Sequence, residues 1–106
     1  MRMNPGDFRW KILIQEQDPD TEEWHDRWTV FARVNKKNGG QSFNADADQY
    51  RAELNFDIRY FREIENVRYN PQPYRIVYSG HFFKVTDYDD YMEQHAFIRI
   101  TGAHYA

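Results

Sequence analysis

A strict alternation of apolar and polar side chains over residues 50–60 constrains the fold more than any other feature. Apolar side chains occupy every second position from Tyr50 to Tyr60, and polar or charged side chains occupy Arg51, Arg59 and the alternate positions between them. A repeat of two residues is that of a β-strand, whereas a helix needs apolar spacings of three and four. The pattern therefore predicts a long central strand and excludes an amphipathic helix in this stretch.

Shorter alternating runs, separated by turn-forming residues, predict further strands. Counting the central strand, the predicted strands cover residues 8–15, 24–35, 50–60, 74–78, 81–88 and 95–101. In the second of them one face is expected to carry Trp28, Val30, Ala32 and Val34. The turn signals are the acidic run from Asp18 to Glu23, the Ser79-Gly80 pair and residues 89–94.

This succession of strands, without a helix longer than two turns, predicts an all-β fold. A flat sheet of six strands would expose two edges that invite aggregation. We therefore expect a small six-stranded antiparallel β-barrel, with a tight sandwich as the alternative. Residues 102–106 are expected to form a loose C-terminus.

The clearest break in the chain lies between the second and third strands. Gly39-Gly40 and their polar flanks predict a long, mobile loop over residues 36–53, in which Ala45 and Ala47 allow a short helix. Glu63 and Glu65 could support another brief helical turn, which the Asn70-Pro71 step would end.

Composition limits the classes of function. A chain of 106 residues is expected to be a single domain, 1–106, and a net charge of −3 argues against a dedicated nucleic-acid binder. The absence of cysteine excludes a disulfide, a thiolate metal site and a cysteine nucleophile. Neither a membrane span nor a signal peptide is recognisable, so we expect synthesis in the cytoplasm and no membrane partner.

No motif for catalysis or for a metal site is complete. The four histidines lack metal-ligand spacing, and the cluster of Asp87, Asp89, Asp90 and Glu93 is typical of a solvated turn. Asn44, Asp46 and Asp48 resemble the start of a calcium loop, but Gln49 and Asn55 stand where glycine and glutamate are required. We expect a protein that is not an enzyme and that has no cofactor and no metal.

Aromatic and arginine side chains on the predicted strands leave one binding alternative open. Such residues could form a stacking platform for single-stranded nucleic acid. The candidates are Trp10, Phe31, Tyr60 and Phe82 with Arg9, Arg33 and Arg59. The other interpretation is that these rings point inward and form the core.

Several short motifs, taken in order, point to a known family. Asn4-Pro5-Gly6-Asp7-Phe8 leads into a strand ending at Ile14-Gln15, and Trp24 precedes Phe31-Ala32-Arg33-Val34 by seven residues. Ile58-Arg59-Tyr60 and the hairpin around Ser79-Gly80 follow. In this order and spacing the chain resembles the head-closure, or head–tail connector, proteins of tailed bacteriophages. The residues that carry the resemblance are Gly6, Phe8, Ile12, Ile14, Gln15, Trp24, Phe31, Ala32, Val34, Ile58, Tyr60, Tyr78 and Gly80.

The resemblance implies a structural role in the virion neck. Such proteins form a ring below the portal and its adaptor, close the DNA channel after packaging and provide the surface on which the tail docks. The implied partners are the portal-adaptor protein, a tail terminator or tail-completion protein, further copies of the chain and, without sequence specificity, the packaged double-stranded DNA. The free protein is expected to be a monomer in the host cytoplasm that joins the ring during assembly.

The resemblance also implies that the loop after the second strand projects into the channel as a stopper. Its candidate residues are Lys36, Lys37, Asn38, Gly39, Gly40, Gln41, Ser42, Phe43, Asn44, Asp46, Asp48 and Gln49. Two alternatives stay open: a tail-completion or terminator-like neck protein, and a barrel resembling the OB-fold that binds nucleic acid or another ligand.

Overall fold

The computed structural model describes residues 6, 8–36, 53–90 and 94–105. Six strands lie within these residues: β1 (Trp10–Gln17), β2 (Trp24–Lys36), β3 (Glu53–Arg59), β4 (Tyr74–Tyr78), β5 (His81–Asp90) and β6 (Phe97–Tyr105). They close into a barrel in the order β1-β2-β3-β6-β5-β4, and every neighbouring pair is antiparallel. The predicted all-β barrel is confirmed, because pairing between β1 and β4 leaves neither of them as a free edge.

The inward face of each strand is built from the alternating positions that the sequence pattern marks. The buried apolar side chains of the core are Ile12, Ile14, Ala32, Leu54, Phe56, Ile58, Ile64, Val67, Tyr74, Ile76, Phe83, Val85, Ile98 and Ile100. Trp28, Val30 and Val34 pack against this core together with the buried Ala32, as expected for one face of β2. Rings and β-branched side chains fill the barrel because they suit a pleated, half-buried surface.

A short helical segment follows β3. A 3₁₀ turn over Arg62–Ile64 continues into α1, which spans Glu65–Tyr69. Ile64 and Val67 are fully buried, so the segment contributes side chains to the core in spite of its length. It ends before the Asn70-Pro71 step, since the residue before a proline disfavours helical backbone.

The strand ends differ from the sequence prediction in several places. Lys36, which we assigned to the loop, belongs to β2, and Asp89 and Asp90 extend β5. Glu53, at which the predicted loop 36–53 overlaps the predicted strand 50–60, is the first residue of β3. The expectation of a loose C-terminus is wrong for residues 102–105, because β6 continues to Tyr105 between β3 and β5. Ladder pairing holds this end of the chain in place: residues 102–103 pair with both β3 and β5, and residues 104–105 pair with β5.

At two positions the structure explains why the residue is glycine. Ser79 and Gly80 both have positive φ values, 51° and 78°, which is the backbone of the tight hairpin turn that the sequence predicts. At Gly102 an added Cβ would lie 2.8 Å from the Cβ of Phe83, so β6 can approach the core here only without a side chain. This close approach is decided by the barrel and has no local sequence signal.

Candidate functional site

Most of the predicted stopper residues lie outside the described part of the chain. These are Lys37, Asn38, Gly39, Gly40, Gln41, Ser42, Phe43, Asn44, Asp46, Asp48 and Gln49. Lys36 is described: it is the last residue of β2 and stands opposite Leu54 of β3. Its Nζ is buried and has no hydrogen-bond partner within the described residues. The register shows that the chain leaves β2 and enters β3 at the same rim of the barrel.

An open groove lies beside β2 and the end of β3. We call it the aromatic groove; its lining residues are Phe8, Val30, Phe31, Arg59, Tyr60 and Phe61. Its volume is about 370 Å³. Phe31 is 58% exposed, which is unusual for a phenylalanine on a strand. The groove thus presents apolar rings and an arginine to solvent.

Ring contacts fix the walls of the groove. Phe8 stacks on Phe97 at 5.3 Å between ring centroids, and the guanidinium of Arg59 lies 5.9 Å from the Phe8 ring. Tyr60 stacks on His95 at 4.5 Å. The Tyr60 hydroxyl donates a hydrogen bond to the Glu65 carboxylate, and this bond raises the pKa of Tyr60 to about 12.

A buried carboxylate lies on β3, close in sequence to the groove residue Arg59. Asp57 precedes Arg59 by two residues and is fully buried. Arg33 on β2 donates to it from Nε at 3.1 Å, and Arg99 on β6 donates from Nε at 2.7 Å and from Nη2 at 3.1 Å. The hydrogen bond to Asp57 raises the pKa of the Arg99 side chain. We call these three residues the ion cluster.

Asn55 extends this buried polar row, since the Thr101 hydroxyl donates to its side-chain oxygen at 2.8 Å. The alternation in residues 50–60 predicts one apolar face and one polar face for β3, but the structure buries the side chains of both faces from Leu54 to Ile58. Sequence reasoning missed the ion cluster because its members come from three strands. The opposite charges were visible, yet only the strand register makes them neighbours.

The residues of the predicted stacking platform are dispersed. Phe31, Tyr60 and Arg59 share the aromatic groove, whereas Arg33 is bound to Asp57. Trp10, 48% exposed, packs edge-on against Tyr78. No continuous row of rings therefore results from the described part of the chain.

Phe82 belongs to a separate cluster centred on Arg75. The Arg75 guanidinium lies 4.2 Å from the Trp24 ring and 4.0 Å from the Phe82 ring, and its Nε donates to the Gln15 side chain at 2.7 Å. Stacking on two rings orders this arginine on the outside of the barrel. Gln15 and Trp24, two of the motif residues, are thus explained by one structural contact.

The other motif residues have mainly structural positions. Ile12, Ile14, Ala32 and Ile58 are buried, Gly80 forms the β4–β5 turn, and Gly6 is exposed with open space around its Cα. Val34, Tyr60 and Tyr78 pack against the core from its margin. Phe8, Phe31 and Tyr60 also line the aromatic groove.

The acidic run at the end of β5 is only partly a solvated turn. Asp87 and Asp89 are exposed, but Asp90 is buried and accepts a hydrogen bond from the backbone N–H of His95 at 3.0 Å. The His95 imidazole also contacts the Asp90 carboxylate. Asp90 therefore fixes the backbone where the chain approaches β6.

Among the described residues, no group of three or more His, Cys, Asp or Glu side chains is placed to hold a metal ion. The described helices include none with the length and apolar character that crossing a membrane requires.

An open groove of apolar rings with an arginine, on a closed barrel, has the character of an interaction surface. The sequence profile of the family described as phage head completion protein matches residues 3–103. The chain therefore belongs to the phage head completion family and is a structural, non-enzymatic component of the phage virion that interacts with other head or tail proteins. No curated protein matches the chain.

Proposed function

We propose that this protein forms a ring in the virion neck, below the portal and its adaptor, and that the ring closes the DNA channel after packaging. The same ring would provide the surface on which the tail docks. Family membership supports a head–tail role, and the structural observation that carries the finer proposal is the pairing of Lys36 with Leu54.

This pairing supports the proposed position of the stopper segment. β2 and β3 are hydrogen-bonded neighbours up to Lys36 and Leu54, so residues 37–52 must leave and return at one rim. A segment of this length that doubles back can reach roughly 25 Å from the rim. Several such segments, one from each copy, could meet across a channel while every barrel keeps its fold.

The barrel closes within a single chain, and its described core needs no side chain from a second copy. This agrees with assembly from monomers in the host cytoplasm, followed by ring formation on the adaptor. In a cyclic assembly one contact is repeated around the axis, so a weak pairwise contact becomes a firm ring. The packaged DNA would meet the segments without base-specific contacts.

Complementation of a phage that lacks this gene tests the proposal. Particles are quantified for packaged DNA and imaged for tails, with the wild-type chain, with no chain, and with a chain lacking residues 38–48. We expect empty, tailless heads without the chain, and assembled necks that still lose DNA with the deletion. The matched control is Tyr69→Ser, which alters an exposed ring outside the groove and should restore full particles.

Two results would contradict the proposal. Full heads that lack only tails, in the absence of the chain, would favour a tail-completion or terminator-like role. Tight, salt-sensitive binding of a single-stranded oligonucleotide by the purified chain, lost in Phe31→Ser, would favour a nucleic-acid-binding barrel.

A further inference from the structure

The aromatic groove has the character of a protein-docking surface. Phe31 exposes more than half of its surface within it, and three exposed cations, Arg9, Lys11 and Arg59, lie beside it in sequence or in register. Lys11 is the cross-strand partner of Phe31, so its side chain shares the outer face with that ring. An apolar centre with a polar, charged rim is the usual anatomy of a protein interface.

The charge of the groove indicates the chemistry of its occupant. Arg59 lies over the Phe8 ring in the groove, Lys11 stands opposite Phe31, and Arg9 follows Phe8 in sequence. Cations next to rings favour a segment that offers apolar groups between carboxylates. The β1–β2 turn of this chain is such a segment. It carries Asp18, Asp20, Glu22 and Glu23 around Pro19, and residues 19–23 are all exposed. We call residues 18–23 the acidic tip.

Hydrogen bonds within the acidic tip order it before it binds. The backbone N–H groups of Asp20 and Thr21 donate to the Asp18 carboxylate at 2.7 and 3.2 Å, and these bonds hold the pKa of Asp18 below its ordinary value. The Asp18 and Glu22 backbones are also hydrogen-bonded across the turn. An ordered tip loses little conformational freedom when it binds.

The two surfaces lie at opposite ends of the β1–β2 ribbon. The tip precedes Trp24, while Phe31 lies seven residues further along β2, a distance of about 23 Å at the usual rise of a strand. The tip cannot fold back into the groove of its own chain, since the β2 strand between them is paired with β1 from Trp24 to Ala32 and holds the two apart. Different surfaces on one chain that complement each other give a head-to-tail contact, which can close into a ring.

We propose that the acidic tip of one copy docks in the aromatic groove of the next copy, with Pro19 against the rings and the flanking carboxylates against Arg9, Lys11 and Arg59. The inference rests on the proposed ring and names its lateral contact. The occupant is a second copy of this chain, chosen because the chain itself supplies an ordered acidic turn whose charge is opposite to that of the groove.

Cross-linking of the full-length chain tests the contact even if it is weak. The chain has no native cysteine. One variant carries Thr21→Cys in the tip, and a second carries Thr29→Cys, which is exposed two residues before Phe31 on the same face. Under mild oxidation we expect the mixture to form the mixed dimer at least about tenfold faster than Thr21→Cys mixed with Tyr69→Cys, because docking raises the effective concentration of the two thiols. Equal rates for the two mixtures would overturn the inference.

Charge reversal tests the named partners in the same assay. Arg59→Glu in the groove-bearing chain should slow formation of the mixed dimer, and adding Asp20→Lys in the tip-bearing chain should restore much of the rate. Asp87→Lys, which reverses an exposed carboxylate outside the tip, is the matched control and should leave the rate unchanged. A rate insensitive to Arg59→Glu would show that the groove does not receive the tip.

The phage assay separates this inference from the proposed function. If Arg59→Glu and Asp20→Lys chains both still produce full, tailed particles and the cross-link does not form, the ring uses other surfaces and only the inference fails. If particles keep their DNA without the chain, the proposed function fails whatever the cross-link shows.

Discussion

Replacing Asp57 by asparagine tests whether the ion cluster stabilises the barrel. The carboxylate is fully buried and accepts hydrogen bonds from Arg33 and Arg99 at distances between 2.7 and 3.1 Å. Asparagine keeps the shape but has no charge, and its amide N–H groups would face guanidinium N–H groups. Two cations would then lose the anion that they share.

The expected loss in the free energy of unfolding follows from the burial of Asp57 and the exposure of its two partners. Removing one partner of a buried ion pair destabilises a protein by about 3–5 kcal/mol. The Arg33 and Arg99 side chains are 28% and 33% exposed, so water can partly solvate them after the change. We therefore expect the lower end, about 3 kcal/mol, out of a total of about 5–15 kcal/mol for a domain of this size. The variant should fold, but with much less stability.

Urea unfolding followed by tryptophan fluorescence measures the effect. With a denaturant slope of about 1.5 kcal/mol per molar, the midpoint should fall by about 2 M. The matched control is Asp89→Asn, an exposed carboxylate opposite Arg99 in the β5–β6 ladder, which should cost less than about 0.5 kcal/mol. A loss below about 1 kcal/mol for Asp57→Asn, with an unchanged slope, would refute the reasoning.

Three further predictions concern the barrel. Gly102→Ala should lower the free energy of unfolding by about 1–3 kcal/mol, because its Cβ would overlap a core side chain. In the same urea unfolding experiment, Gly6→Ala should leave the free energy of unfolding unchanged. The Tyr60 hydroxyl must stay protonated to donate to Glu65, and its folded pKa of about 12 lies above the unfolded value of 10.0. The contribution of this bond to stability is therefore complete below pH ~10 and is lost as the pH rises from there through about 12. Unfolding at several pH values, compared with Tyr60→Phe, measures it, and an unchanged alkaline profile in that variant would argue against the bond. Deleting residues 38–48 should change the free energy of unfolding by less than about 1 kcal/mol, because the described core closes without them; a large loss would place that segment in the core.

Local sequence signals specify most of the strands and turns. Alternation places Ile12, Ile14 and Ile58 inward whatever the neighbouring strands are, because successive side chains of a strand point to opposite faces. Ser79-Gly80 specifies its hairpin turn locally, through backbone that few other residue pairs adopt. Six strands in a flat sheet would expose two edges, which favours a closed barrel. The order of the short motifs pointed to the family.

Which side chains meet across strands depends on how the strands pair in the folded barrel. Asp57 reads as a surface residue in its own segment and becomes buried because the register sets Arg33 and Arg99 beside it. Residues 102–105 have no strong strand signal, yet pairing with β3 and β5 holds them. The aromatic groove likewise needs Phe8, Phe31 and Arg59 from separate segments. Local sterics act within a few residues, whereas charge pairing and strand pairing act between segments that are close only after folding.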